Sequence, residues 1–80
     1  MTHSDQEIQN NAFCKGMRRI AERSRLKAAR VRKEIREVLG GIQKAQYYNR
    51  QNGYVEHTPA ERAAIERIFR KHKEVDPWGL

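Results

Sequence analysis

The sequence has little cysteine and no long apolar run. Cys14 is the only cysteine among 80 residues, so no disulfide can form within the chain, and we expect an inert thiol in a reduced, cytoplasmic setting. No apolar run is longer than three residues, which excludes a membrane-spanning helix from the expected structure. The polar first eleven residues carry Asp5 and Glu7, so a secretory signal is not expected there either.

Residue patterns that support catalysis or metal binding are also missing. His3, His57 and His72 are scattered and lack the spacing and the cysteine partners of a zinc site. Gly40-Gly41 is not followed by the Gly-Lys-Ser/Thr pattern of a phosphate-binding loop, and no pair of acidic residues is set in an apolar frame. We therefore predict that the protein is not an enzyme and uses neither a metal nor a cofactor.

Apolar residues are scarce as well. Only 38% of the residues are hydrophobic, while 34% are charged. A chain this short forms a single domain over residues 1–80, with a thin core to offset a conformational entropy cost of about 1 to 2 kcal/mol per ordered residue. We therefore expect the chain to gain buried area by forming a homodimer or by folding onto a partner.

What the sequence does contain is a concentrated positive charge. The formal net charge is +7, and residues 15–36 hold ten basic groups and two acidic ones. Cations surround this segment on every side except its apolar stripe, and they repel one another unless a polyanion binds. The predicted nucleic-acid-binding residues are these ten: Lys15, Arg18, Arg19, Arg23, Arg25, Lys27, Arg30, Arg32, Lys33 and Arg36.

The periodicity predicts an all-α fold of about three helices. The first and longest is expected over residues 5–39, from a capping box at Ser4 and Glu7 to a stop at Gly40-Gly41. A continuous helix of this length would measure roughly 50 Å, whereas a compact chain of this size has a radius of gyration of about 12 Å. Either the helix breaks or it stays whole and pairs with a second copy. The weak points for a break are Gly16 and Ser24, and a break within the first turns is favoured.

Two shorter helices and a tail complete the predicted domain. The second helix is expected over 42–51, before the Asn52-Gly53 turn, and the third over 59–73, before a tail at 74–80. Thr58 as N-cap, Pro59 at the first position and Glu61 two residues later form a clear helix start. The predicted core consists of Met17, Ile20, Val31, Ile35, Ile65, Ile68 and Phe69.

These patterns favour a basic nucleic-acid-binding protein with a regulatory role. Tyr47, Tyr48 and Tyr54 are candidates for stacking on bases, although packing between helices is the commoner use of such tyrosines. Seven residues separate the two shorter helices, more than a helix-turn-helix pair usually has. The alternative is an adaptor or inhibitor that docks its cations on an acidic protein, with Leu26 or Trp78 as the apolar anchor. The residue types do not decide between DNA, RNA and protein targets.

Overall fold

The computed structural model describes residues 11–78, which form four α-helices and no strand. The helices are α1 (Cys14–Arg23), α2 (Arg25–Val38), α3 (Lys44–Gln51) and α4 (Pro59–Lys71). The all-helical prediction is confirmed, while the number of helices is larger than expected because the predicted first helix is divided. The predicted capping box at Ser4 and Glu7 lies outside the described residues.

Ser24 is the point at which the predicted long helix breaks. Its backbone is extended, with φ −160° and ψ 111°. The Ser24 amide donates to the carbonyl of Ile20 at 2.8 Å, and its hydroxyl accepts from the Lys27 amide at 3.1 Å. One residue therefore ends α1 and caps α2. A continuous helix over 5–39 is wrong, since Ala12 and Phe13 are not helical either, and the chain reaches a radius of gyration of 11.9 Å by itself.

The start of α4 matches the sequence prediction. The Thr58 hydroxyl accepts from the Glu61 amide at 3.1 Å, and the Thr58 amide donates to the Glu61 carboxylate at 2.9 Å. Pro59 occupies the first position of the helix, where no amide hydrogen is needed. The helix ends at Lys71 rather than at Lys73, because Lys73 adopts a positive φ of 59°.

The core lies between α1, α2 and α4, with α3 joined to it by one tyrosine. Helix α2 contacts both α1 and α4, and all seven predicted core residues are buried. Phe13, Ala28 and Tyr47 complete the core, and the ring centroids of Phe13 and Tyr47 are 5.9 Å apart in an edge-on arrangement. Every described helix is too short or too polar to cross a membrane.

Ion pairs hold the helices to one another at the edge of this core. Glu34 of α2 pairs with Lys71 at 2.9 Å and with His72 at 2.6 Å, which ties α2 to the end of α4. Both contacts lower the pKa of Glu34. Arg50 of α3 pairs with Glu61 of α4 at 2.9 Å. The short helix is thereby fixed against the C-terminal one.

Candidate nucleic-acid interface

Helices α2 and α3 are joined by a turn of five residues. The turn runs over 39–43, where Gly40 and Gly41 have φ values of 98° and 70°. The Gly40 amide donates to the Glu37 carbonyl at 3.1 Å, and the Gly41 amide donates to the Arg36 carbonyl at 2.8 Å. This pair of bonds is a Schellman motif, which glycine favours because of the left-handed backbone. From the sequence, a helix-turn-helix pair between the second and third expected helices is disfavoured by its seven-residue connection; the connection between α2 and α3 is shorter, at five residues.

Arg36 stiffens the turn. Its Nε donates to the carbonyl of Ile42 at 3.0 Å, so the last turn of α2 is bonded to the residue just before the cap of α3. At that cap, the Gln43 amide donates to the side-chain oxygen of Gln46 at 3.1 Å. Both ends of the turn are thus hydrogen-bonded, and α3 is held in one orientation relative to α2.

Tyr47 decides which face of α3 is exposed. The side chain is fully buried and its hydroxyl donates to Gln51 Oε1 at 2.7 Å. Burial raises the pKa of Tyr47, although the nearby Arg32 guanidinium acts in the opposite direction. At 100° per residue, the face opposite Tyr47 is centred on Ala45 and Asn49. Both are exposed, as are Lys44 and Gln46.

The three tyrosines proposed for stacking have different surroundings. Tyr47 has no free ring face, and Tyr48 is half-buried, with its ring edge-on to that of Tyr47 at 5.2 Å. Tyr54 is 69% exposed, directly after the turn that ends α3. Only Tyr54 therefore offers an open aromatic face to a ligand.

Three of the predicted cations hold the C-terminal segment. Lys27 pairs with Glu74 at 2.6 Å, and Arg23 donates to the same carboxylate, whose side chain is only 3% exposed. Burial alone would raise the pKa of Glu74, but the two cations outweigh it and lower the pKa. Arg19 donates to the carbonyl of Asp76 at 2.7 Å. The sequence carries no signal for this role, because the partners are about fifty residues apart.

Another group of cations lines the edge of α2 beside α3. Arg25, Arg32 and Arg36 are seven and four residues apart, a spacing that places them on one side of a helix. Arg36 reaches the turn and Arg32 lies near the Tyr47 hydroxyl, so this side faces α3. None of the three pairs with a carboxylate among residues 11–78.

The remaining predicted cations point outward. Arg30 and Lys33 lie on the exposed face of α2, and Lys15 and Arg18 lie on the exposed face of α1. No ion pair joins any of these four to a carboxylate within residues 11–78.

We call Arg25, Arg30, Arg32, Lys33 and Arg36 the α2 cation surface. Arg25, Arg30 and Lys33 of this surface are exposed, whereas Arg32 and Arg36 are half-buried.

The two proposed apolar anchors also differ. Leu26 is 65% exposed on the same face of α2 as Arg30 and Lys33. Trp78 is half-buried; its ring lies 6.1 Å from that of Phe13, and its indole N–H donates to Glu66 at 2.7 Å. Trp78 is thus occupied by contacts within the chain, whereas Leu26 faces solvent.

Comparison of the chain with protein-family models, with curated proteins and with solved structures found no match. Within residues 11–78, no cluster of three or more His, Cys, Asp or Glu side chains is arranged to hold a metal ion. The candidate site is therefore the exposed surface formed by α2, the turn and α3.

Proposed function

We propose that this protein is a small nucleic-acid-binding regulator that binds phosphates through the α2 cation surface. The observation that carries the proposal is a difference among the cations, some of which pair with carboxylates while others do not. Glu34, Glu61 and Glu74 neutralise other basic groups, while the five charges of the α2 cation surface have no described carboxylate partner. Unneutralised like charges on one helix destabilise it, and a polyanion relieves that repulsion.

Arginine suits this role by its geometry. Four of the five groups are arginines, Lys33 being the exception. The planar guanidinium donates two parallel hydrogen bonds to a phosphate and remains charged at any physiological pH. Because Arg32 and Arg36 are already oriented by contacts at Tyr47 and Ile42, less side-chain entropy is lost when a phosphate binds.

The test is a binding titration by fluorescence anisotropy with duplex DNA, single-stranded DNA and a structured RNA. If about five cations meet phosphates of duplex DNA, log K falls against log salt with a slope of about −4.5. An affinity that is independent of salt would contradict the proposal, as would the absence of binding to all three nucleic acids at about 50 mM salt.

A matched pair of variants locates the surface. We expect Arg30→Gln with Lys33→Gln to weaken binding and to reduce the salt slope by about 2, since each phosphate contact contributes about 0.9. The control, Arg67→Gln with Arg70→Gln, removes the same charge from exposed positions of α4. Equal losses from both pairs would show that only net charge matters and would contradict a defined surface.

Leu26 favours a second candidate function, docking on an acidic protein. An exposed leucine between cations matches a partner with an apolar pocket rimmed by carboxylates. In that case, Leu26→Ala weakens the complex strongly. If the α2 cation surface binds phosphates instead, the same change alters nucleic-acid affinity by less than about twofold, since no charge is lost.

A further inference from the structure

We infer that α3 enters the major groove of double-stranded DNA and that Asn49 reads base edges there, with Ala45 beside it. This inference rests on the proposed function and adds the form of the nucleic acid and the reading element. The supporting observation is that the short helix after the five-residue turn presents an unpaired polar face within residues 11–78, next to the α2 cation surface. In helix-turn-helix proteins, the second helix of the unit is the one that occupies the groove.

The dimensions fit the groove. An α-helix with its side chains is about 10–12 Å across. The major groove of B-form DNA is about 12 Å wide and admits a helix. Tyr47 is buried on one side of α3, so the opposite side, with Asn49 at its centre, is the one that faces a ligand. Ala45 carries only a methyl group there, which lets the backbone approach the bases closely.

The side chains on this face match base edges. Asn49 is exposed, and its carboxamide has no hydrogen-bond partner within residues 11–78. An asparagine carboxamide forms paired hydrogen bonds with N6 and N7 of adenine, and an alanine methyl contacts the thymine methyl group. Lys44 is also exposed, but it lies about 140° around the helix from Asn49, nearer to the Tyr47 side, and so does not share this face. Asn49 and Ala45 thus offer a pair of direct base contacts.

The charges around α3 also fit a duplex. No aspartate or glutamate occurs between Glu37 and Glu56, so the turn and all of α3 are free of negative side chains. Arg36 lies next to the turn that leads into α3, at a position where it can meet a phosphate bordering an occupied groove. Phosphate contacts of this kind orient a protein on the duplex, while base contacts supply its sequence preference.

The same geometry disfavours RNA. The major groove of an A-form helix is deep and narrow, so a helix the size of α3 cannot reach its base edges. Recognition of single strands depends on several open aromatic faces. Tyr47 is buried and Tyr48 half-buried, which leaves Tyr54 as the single exposed tyrosine of the three.

The experiment is selection of preferred sites from a random duplex pool by the full chain, followed by anisotropy with the selected duplex, a scrambled duplex and a matching RNA duplex. We expect the wild-type protein to prefer the selected duplex by about tenfold or more, and Asn49→Ala to lose most of that preference. Arg30→Gln with Lys33→Gln should weaken binding to both DNA duplexes equally and keep the preference. Circular dichroism checks that Asn49→Ala keeps the helical content.

Each outcome decides between the two proposals. Equal binding of selected and scrambled DNA, or an unchanged preference in a folded Asn49→Ala variant, overturns the role of α3 and leaves phosphate binding intact. Tighter binding to the RNA duplex also overturns it. If the wild-type chain binds none of the duplexes, the role of α3 is overturned, and the proposed function fails with it only if single-stranded DNA and the structured RNA are not bound either.

Discussion

Asn11 and His57 are joined by two hydrogen bonds to one oxygen atom. Asn11 Oδ1 accepts from the His57 amide at 3.1 Å and contacts His57 Nδ1 at 2.8 Å. Because this oxygen is an acceptor, Nδ1 carries the hydrogen of the neutral imidazole, and the buried Nε2 has no partner. The ring is surrounded by Phe13 and Trp78, each with its centroid 5.9 Å away. A proton on Nε2 would therefore be buried without a partner.

The first prediction follows from this arrangement. Burial, together with the Arg50 charge, lowers the pKa of His57 from 6.5 to about 4. Between these two pKa values, His57 is protonated in the unfolded chain but neutral in the folded one. The free energy of unfolding therefore has its full value above pH 6.5 and falls as the pH drops toward 4. The expected slope approaches about 1.4 kcal/mol per pH unit. Urea denaturation followed by circular dichroism measures it.

A His57→Gln variant is the control for that slope. Glutamine does not titrate, so its free energy of unfolding should vary much less over the same range. The pKa values of Glu34, Glu61 and Glu74 are lowered below 4.5. The stability that these carboxylates contribute is therefore retained through the upper part of this pH range and is lost only at lower pH. A wild-type slope equal to that of His57→Gln would contradict the buried neutral histidine.

The second prediction concerns Gly16, which lies inside α1. Replacing a mid-helix glycine by alanine ordinarily stabilises a helix by about 1 kcal/mol. Here the added Cβ would lie 2.9 Å from Phe69 Cε2 and 2.9 Å from the backbone of Pro77. We expect Gly16→Ala to destabilise the protein by about 1 to 3 kcal/mol, since a backbone contact cannot yield easily. Thermal denaturation measures the change, and a raised melting temperature would show that the close approach is absent.

The same contact explains why the position of the break in the first predicted helix could not be chosen from sequence. Helix propensity marks Gly16 as weaker than Ser24. The helix nevertheless continues through Gly16, because Phe69 and Pro77 pack against it from more than fifty positions away. Local signals were sufficient at Thr58, where cap, proline and glutamate lie within four residues. Where local signals compete, tertiary contacts decide where a helix breaks.

The site was predictable in charge but not in arrangement. Composition alone identified the cations of residues 15–36, yet Arg23 and Lys27 are occupied by Glu74, about fifty residues later. The exposed face of α3 was missed, because only the burial of Tyr47 shows which side of that helix faces solvent. The glycine pair predicts a helix stop, and in the structure the same pair lies in the turn between α2 and α3.

The third prediction tests Ser24 as the cap of α2. Ser24→Ala removes the side-chain acceptor for the Lys27 amide, which we expect to cost about 1 kcal/mol. Ser24→Asp restores the acceptor and places a negative charge at the helix start, so it should recover the wild-type free energy of unfolding or exceed it. Chemical denaturation of the three proteins measures both effects. If alanine and aspartate behave alike, the hydroxyl does not cap the helix.

The fourth prediction concerns Trp78, whose ring is covered on one side by a cation. The Arg62 guanidinium carbon lies 3.9 Å from the ring centroid, while Phe13 and His57 contact the same ring. Because the tryptophan is half-buried, we expect Trp78→Ala to cost about 2 kcal/mol, less than a fully buried tryptophan. Val75→Ala is the control; Val75 is 65% exposed and should change stability by less than about 0.5 kcal/mol. Urea denaturation compares the two variants, and equal small losses would mean that the indole ring contributes nothing to the core.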